Sequence, residues 1–519
     1  ELISAVGEFC LYQKLLVLLL SLPLLLNPFQ MVGQVFMVVD VPHYCNTDWI
    51  RAVGPNLTEE EQLNLTVPRD ADGEYEQCSM YSPVDWDLDS IMAYGLNATE
   101  KCSSGWVYPT AQQPSLLTEF DLVCDRKDLS DISQSVYMVG LLVGAIIFGP
   151  LSDRIGRRPV LLISILGQSL FGLVIAFLPN FIVYMVFRCI MATAMSGILI
   201  TTLPLATEWV GVSYRPQAVL ITHCFLAAGQ LVLAGLSYGI RNWRLLQIAG
   251  SAPMFALFFY YWVLPESARW LVTKGKIEEA KKYLKKAASI NKRTIPPELL
   301  DQPIFLKEKK IMNNQLITYS IPLNFRFMDS LVYYGLSLNV TGFGLDIYLT
   351  QLAFGVVEIP GRICCIYLLQ WFGRKKVQAV LLLLAGLMCL IIVGIPEDQA
   401  VAITVLAVIG KFAASASFST SYVYAAELFP TIIRQSGVGL CSMAARVAGI
   451  VAPLIRLLEQ YHHAIPMAVY GGATVLGGLF CFLLPETRGV ELPDGTETDN
   501  PQRRTLFSEV VIHMHLRAA

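Results

Sequence analysis

The sequence predicts an all-α polytopic membrane protein: twelve transmembrane helices in two six-helix bundles, with a large extracellular loop after the first helix. Three observations carry this. Of 519 residues, 54% are hydrophobic and 15% charged, with a mean hydropathy of +0.52, whereas soluble proteins carry about 25% charge. Apolar runs long enough to cross lipid recur along the chain, and a helix is the open-chain element that satisfies its own backbone there. Three motifs of the first half return in the second at nearly one offset. The same arithmetic excludes other classes. A net charge of -3 and a pI near 6.1 offer nucleic acid no basic face. No zinc-type Cys/His spacing, Walker A pattern or TVGYG filter occurs, which argues against a metal site, a P-loop ATPase and a potassium channel. No cofactor is expected.

The chain begins at Glu1 rather than Met, as a trimmed N-terminus would, and no cleavable signal peptide is visible. The first apolar run, about 15–38, is therefore read as a retained helix, making 1–38 the N-terminus and span one. Residues 39–132 form the large loop. It holds Cys45, Cys78, Cys102 and Cys124, an even set suited to an oxidising compartment, and three pairings of them are open. Sequons at Asn56, Asn64 and Asn97 mark the loop as glycosylated and extracellular.

Residues 133–264 complete the first bundle, with spans at about 133–150, 159–178, 182–207, 216–239 and 244–264. Residues 265–314 are a basic linker. Its 265–310 stretch contains twelve Lys or Arg, which assigns it to the cytoplasm. The spacing of Ile277, Tyr283, Leu284 and Ala287 predicts a surface helix at about 276–290. The second bundle, 315–484, has spans at about 318–340, 347–368, 377–395, 400–424, 435–457 and 464–484. The polar tail, 485–519, is expected to be disordered, with both termini cytoplasmic.

The repeat is specific. Gly149-Pro-Leu-Ser-Asp153-Arg154-Ile-Gly156-Arg157-Arg158 follows the second span, and Trp371-Phe-Gly373-Arg374-Lys375 follows the eighth. Glu208 stands seven residues before Arg215, and Glu427 seven before Arg434. Pro265-Glu266-Ser-Ala-Arg269 closes the first half, and Pro485-Glu486-Thr-Arg488 the second. Duplicated six-helix halves place a binding site at mid-membrane between rocking bundles.

On these motifs the chain resembles the major facilitator superfamily. The Cys-bearing first loop, PESARWL at 265–271 and ELFPTIIRQSGVG at 427–439 resemble the organic anion/cation/zwitterion (solute carrier 22) family. RNWRLLQIAG at 241–250 and NVTGFGLDIYLTQL at 339–352 are similar to its organic-anion branch. The resemblance implies a monomeric plasma-membrane carrier, apical in epithelium, and not an enzyme. It implies organic-anion substrates such as nicotinate, urate or orotate, moved by alternating access in exchange for counter-anions. The first loop, with YCNTDWIRAVGP at 44–55, is also similar to a neighbouring member associated with riboflavin, so a vitamin carrier is the alternative.

Charges inside the spans point to the site. Arg446 lies twelve residues beyond Arg434, about 18 Å into the membrane, with no acid within one helical turn. Arg362 lies at similar depth in span eight, one turn from Glu358, which is placed to neutralise it. A charge buried there costs several kcal/mol or more unless an anion or water meets it. The organic-anion branch is basic at the Arg446 position, and organic-cation members are acidic. Tyr333 and Tyr334 match a paired-tyrosine position of the family, and Phe418, Tyr422 and Phe225 are further candidates to stack on an aromatic carboxylate. Lys411 and Arg188 are expected in packing or outer-gate electrostatics, and His223 as a buried polar residue.

The repeated loop motifs read as a cytoplasmic gate. Asp153, Arg157, Glu208 and Arg215 in one half, with Arg374, Glu427 and Arg434 in the other, would pair to hold the inner face shut and part on switching. Span seven is the misfit. Pro322, Asn324 and Arg326 interrupt it, leaving about 14 clean positions at 327–340, too short to cross 30 Å unaided. The segment 301–317 also departs from the family, as a variant exon would. If genuine, these departures imply a paralogue that does not transport.

Overall fold

The structure, a computed structural model, describes residues 2–297, 316–428, 434–484 and 486–487. Most of the tail, the segment 298–315 and the side chains of Glu427 and Arg434 therefore lie outside the described residues.

Twelve long helices carry the fold among the described residues. The first six are α1 (Leu11–Met31), α2 (Asp128–Ile155), α3 (Arg157–Ile175), α4 (Phe181–Trp209), α5 (Arg215–Gly239) and α6 (Trp243–Ala256). The others are α7 (Leu316–Leu338), α8 (Ile347–Phe372), α9 (Arg374–Val393), α10 (Ala400–Leu428), α11 (Arg434–Arg456) and α12 (Ile465–Cys481). Among the described residues, nine candidate spans are long and apolar enough to cross a membrane, and α6, α7 and α12 are not among them. Within the first half α2 and α3 flank α4, and α5 lies on α1; within the second α9 lies on α12 and α7 on α11. The halves meet where α2 packs on α11 and α5 on α8.

Two corrections to the sequence reading follow. The sixth span does not run unbroken over 244–264: α6 ends at Ala256, and a tight turn at Leu257–Phe259 leads into Tyr260–Val263. Pro253 in the last turn of α6 removes a backbone donor there. The seventh span is not 14 residues but a 23-residue helix, about 34 Å at 1.5 Å per residue. Arg326 and Asp329 do not interrupt it because both side chains turn into the protein and find partners.

Three of the helices that begin on the side of the large loop cap themselves. Asn180, Asn242 and Asp346 accept hydrogen bonds from the first backbone N–H groups of α4, α6 and α8. On the opposite side, near the basic linker, α3 and α9 borrow a cap. Glu266 accepts from the N–H groups of Arg157 (3.0 Å), Arg158 (3.1 Å) and Ser267 (2.8 Å). Glu486 accepts likewise from Arg374 (2.8 Å), Lys375 (3.2 Å) and Thr487 (3.1 Å). Each cap follows a glycine with positive φ: Gly156 at 109° and Gly373 at 85°. A Cβ there would sit 2.4 Å from Glu266 Oε2 or 2.6 Å from Glu486 Oε2, so glycine is required at both for conformation and for room. The sequence repeat is thus one capping device built twice.

The large loop contains two small antiparallel ribbons, Tyr44–Cys45 with Trp106–Val107 and Ser79–Tyr81 with Thr99–Lys101. Disulfides join Cys45 to Cys102 and Cys78 to Cys124, one of the three pairings left open above. Glu119 pins the loop to α6 by accepting from Trp243 Nε1 (2.7 Å) and pairing with Arg244. Asn56, Asn64 and Asn97 are all exposed. The linker helix forms at Ile277–Ile290 and buries Leu284, Ala287 and Ala288 against the first bundle.

The apolar core is arranged unequally. On the loop side one cluster runs through both bundles, from Phe29, Tyr137 and Trp243 to Leu336, Phe354 and Tyr470. On the linker side it divides, with one cluster confined to the first bundle and two to the second.

Candidate functional site

The second bundle holds an ion cluster at its centre. On α8, Glu358 Oε2 accepts from Arg362 at 2.9 Å, one turn away. Its Oε1 faces Lys411 Nζ of α10 at 3.0 Å and accepts from the Tyr333 hydroxyl of α7 at 3.0 Å. Lys411 also donates to Ser337 and sits 3.4 Å from the Tyr333 ring centroid. All four side chains are buried. One carboxylate therefore answers two cations, and Arg362 Nε and Nη1 find no partner among the described residues. Lys411, expected in packing or outer-gate electrostatics, is the third member of this cluster.

A second charge pair lies on α7. Arg326 Nη1 donates to Phe418 O (2.8 Å) and Ser421 Oγ (2.6 Å) of α10, and its guanidinium carbon lies 4.0 Å from the Phe418 ring centroid. Asp329 Oδ2 is 3.6 Å from that nitrogen and accepts from Ser421 at 2.7 Å. Its other oxygen, Oδ1, is buried without a partner among the described residues. Sequence reasoning treated Arg326 as an interruption and passed over Asp329. The available signal was their spacing of three, which places them on one helix face.

Arg446 on α11 differs from both. Its Nη1 reaches across the bundle interface to Leu141 O of α2 and Ser196 Oγ of α4. No ion pair to a carboxylate is found for it among the described residues, and it is half-buried. Tyr334 and Tyr137 stand within its electrostatic reach. Tyr334, Phe418 and Tyr422 are also half-buried, whereas Tyr333 and Arg362 lie behind them. Tyr333 contacts both the Tyr334 ring (5.5 Å) and the Phe418 ring (5.3 Å), and its hydroxyl accepts from Gln230 of α5 at 3.3 Å. His223 of α5 meets Phe418 edge-on at 6.4 Å. Phe225 is not brought to this wall by the same geometry: two positions past His223 is about 200° around the helix axis.

On the loop side the bundles close over these residues. Ser135 Oγ donates to Ile450 O (3.1 Å), Arg456 pairs with Asp131 (3.7 Å), and Arg241 Nη1 donates to the Tyr348 hydroxyl (3.0 Å), whose ring stacks on Phe36. Arg188 lies inside the first bundle, not at a gate. It donates to Gln134 Oε1 (2.8 Å), Gln30 O (3.4 Å) and the Tyr184 hydroxyl (3.2 Å), beside the Tyr137 ring.

On the linker side Arg157 pairs within the first bundle, and Arg215 and Arg374 each hold a carbonyl of their own bundle. Arg157 joins Asp153 (2.8 Å) and Glu208 (3.5 Å), and Arg215 Nε donates to Thr207 O (3.2 Å). Arg374 Nη1 donates to Leu369 O (3.3 Å), and the expected pairs with Glu427 and Arg434 lie outside the described residues. Burial pushes the Glu266 carboxyl above its usual range, against the three N–H groups that favour its charge.

Known proteins share this plan. A family profile described as "Sugar (and other) transporter" matches residues 97–497. The chain is 48% identical to human solute carrier family 22 member 13 over 508 residues, covering 95% of this chain and 92% of that one. It is 40% identical to mouse solute carrier family 22 member 14, covering 96% of this chain and 80% of that one. Among solved structures, the inward-open xylose transporter XylE from E. coli aligns with a TM-score of 0.61 at 16% identity, over 92% of this chain and 98% of that one. At that identity the likeness speaks for the fold.

Proposed function

This chain belongs to the sugar (and other) transporter family and, within it, to solute carrier family 22, and from that premise we propose that it carries organic anions across the plasma membrane by alternating access. The observation that supports this most is Arg446. It is a guanidinium at the interface of two bundles, half-buried, and held among the described residues by neutral oxygens of the opposite bundle. A carboxylate arriving there gains a charge-assisted, bidentate partner in place of a carbonyl and a hydroxyl. The half-buried rings of Tyr334, Phe418 and Tyr422 offer a flat surface to an aromatic carboxylate. Tyr333 and Arg362 support that wall from behind.

The substrates are aromatic monocarboxylates and urate-like anions such as nicotinate, urate or orotate, exchanged against intracellular counter-anions by a monomer. The sequons at Asn56, Asn64 and Asn97 and the disulfide loop face outside, and the basic linker and both termini face the cytoplasm. In this orientation the continuous core lies outside and the divided core inside, the arrangement of a carrier shut to the exterior. Asp153, Arg157, Glu208, Arg215, Arg374, Glu427 and Arg434 form the inner gate that re-pairs when the cavity faces outward. Binding neutralises Arg446, which lowers the cost of enclosing it during the switch.

Uptake of labelled nicotinate, urate, orotate and riboflavin into expressing cells tests this. Nicotinate, urate or orotate is expected to accumulate, and Arg446→Ala to reduce kcat/KM about 100-fold at equal surface abundance, the scale of a lost buried charge contact. Riboflavin uptake alone, or unchanged kinetics in Arg446→Ala, contradicts the proposal.

A further inference from the structure

Arg326 has no role in the scheme above, yet it borders the candidate substrate wall. Its guanidinium carbon lies 4.0 Å from the Phe418 ring centroid and 5.8 Å from that of Tyr422. Tyr334 lies within electrostatic reach of both Arg326 and Arg446. The wall thus has one cation at Tyr334, Arg446, and a second beside Phe418 and Tyr422. The second is held in place: Arg326 is only 4% exposed, lies over the Phe418 ring, and donates from Nη1 to Phe418 O (2.8 Å) and Ser421 Oγ (2.6 Å). Every hydrogen bond Arg326 makes among the described residues uses Nη1. Its Nε and Nη2 are left over, and a buried guanidinium with unused N–H groups favours an acceptor that reaches them. His223 of α5 meets the same Phe418 ring edge-on at 6.4 Å, with its Nδ1 buried and unpartnered among the described residues.

Asp329 decides what kind of acceptor suits Arg326. Its Oδ2 stands 3.6 Å from Arg326 Nη1 and accepts from Ser421 at 2.7 Å, and the side chain is fully buried. As an ion pair Arg326 and Asp329 carry no net charge, whereas no carboxylate partner is found for Arg446 among the described residues. A second full negative charge beside Arg326 would also face Asp329 and be repelled by it. A neutral acceptor meets the spare N–H groups without that cost.

We infer that Arg326 reads the far edge of the cargo, selecting monoanions whose aromatic ring carries a neutral hydrogen-bond acceptor, a pyridine-type nitrogen or a ring carbonyl, over carbocyclic acids of the same shape. The inference rests on the organic-anion reading and deepens it: Arg446 takes the charge, the rings take the flat face, and Arg326 takes the acceptor. Nicotinate and benzoate differ at one ring position, nitrogen against C–H. With benzoate that C–H faces the guanidinium and satisfies none of its N–H groups, so the site loses a hydrogen bond to a charged donor.

The test uses the full-length chain in proteoliposomes, with labelled nicotinate as the transported probe and benzoate and isophthalate as competitors. Isophthalate puts a second carboxylate where nicotinate has its ring nitrogen. For the wild type, the Ki of each competitor is expected at least about tenfold above the KM for nicotinate, the size of one hydrogen bond to a charged group. Arg326→Met should raise the nicotinate KM about tenfold and leave the benzoate Ki in place, so that the two converge. A purely structural role for Arg326 would weaken both ligands alike. Because the single variant strands Asp329, Arg326→Met combined with Asp329→Asn is the second chain, with the same convergence expected. The wild-type comparison needs no variant, so poor folding of both leaves the test intact. A wild type that does not favour nicotinate over both competitors overturns the inference and leaves the organic-anion reading standing. An Arg326→Met chain that keeps the wild-type ratio does the same. Absence of saturable uptake of labelled nicotinate and of labelled benzoate by the wild type overturns both.

Discussion

Away from the linker-side helix ends, the two bundles bury charge by opposite means. In the first, Arg188 is enclosed by an amide, a carbonyl, a hydroxyl and an aromatic ring, with no carboxylate in contact among the described residues. In the second, Glu358 and Asp329 stand among Arg326, Arg362 and Lys411, and polar atoms on both sides of the balance lack partners among the described residues. Neutral dipoles around a permanent cation form a fixed scaffold, because nothing nearby gains or loses charge. Incompletely matched ion pairs respond to any ion that arrives. The first bundle therefore serves as the frame and the second as the half that senses cargo, with Arg446 reaching from one to the other.

Removing one charge from each bundle sharpens this contrast. Glu358→Gln strands two buried cations and is expected to cost about 3–5 kcal/mol. The readout is a collapse in surface abundance and in the thermal unfolding midpoint of detergent-purified protein. Arg188→Gln removes a cation that has no acid to strand and should cost only about 1–2 kcal/mol, the scale of a few hydrogen bonds. If the two variants lose equal stability, the division between frame and sensor fails.

The smallest effect concerns the duplicated caps, where the bundles should agree. Glu266→Gln is expected to cost about 1 kcal/mol, the value of a helix cap, measured as a shift in unfolding midpoint. Because burial raises the Glu266 carboxyl, its stabilisation is complete below the unfolded value and is lost as pH rises through the folded one. The gap between wild type and Glu266→Gln should therefore narrow from acidic to neutral pH. A gap that widens over that range contradicts the burial account.

Hydropathy and repetition made the architecture legible, because span length and motif offset are one-dimensional properties. The capping role of Glu266 and Glu486 was hidden although the strings containing them were matched. A cap is a contact between the end of one bundle's chain and a helix more than a hundred residues earlier. Arg362 with Glu358 was readable from the spacing of four, but Lys411 joins them from another helix. Arg326 misled for a physical reason: a hydropathy count registers polar residues as breaks, regardless of whether they face lipid or a partner. Span seven looked broken where it carries its most unusual chemistry.

The central claim is that Arg446 binds the cargo's negative charge, and ligand binding to purified protein tests it most directly. Nicotinate at 100 times its Kd should stabilise the wild type by about 2.7 kcal/mol, read as a rise in unfolding midpoint. The account predicts that Arg446→Ala keeps its own midpoint when nicotinate is added at the same concentration. An undiminished rise in Arg446→Ala would contradict it.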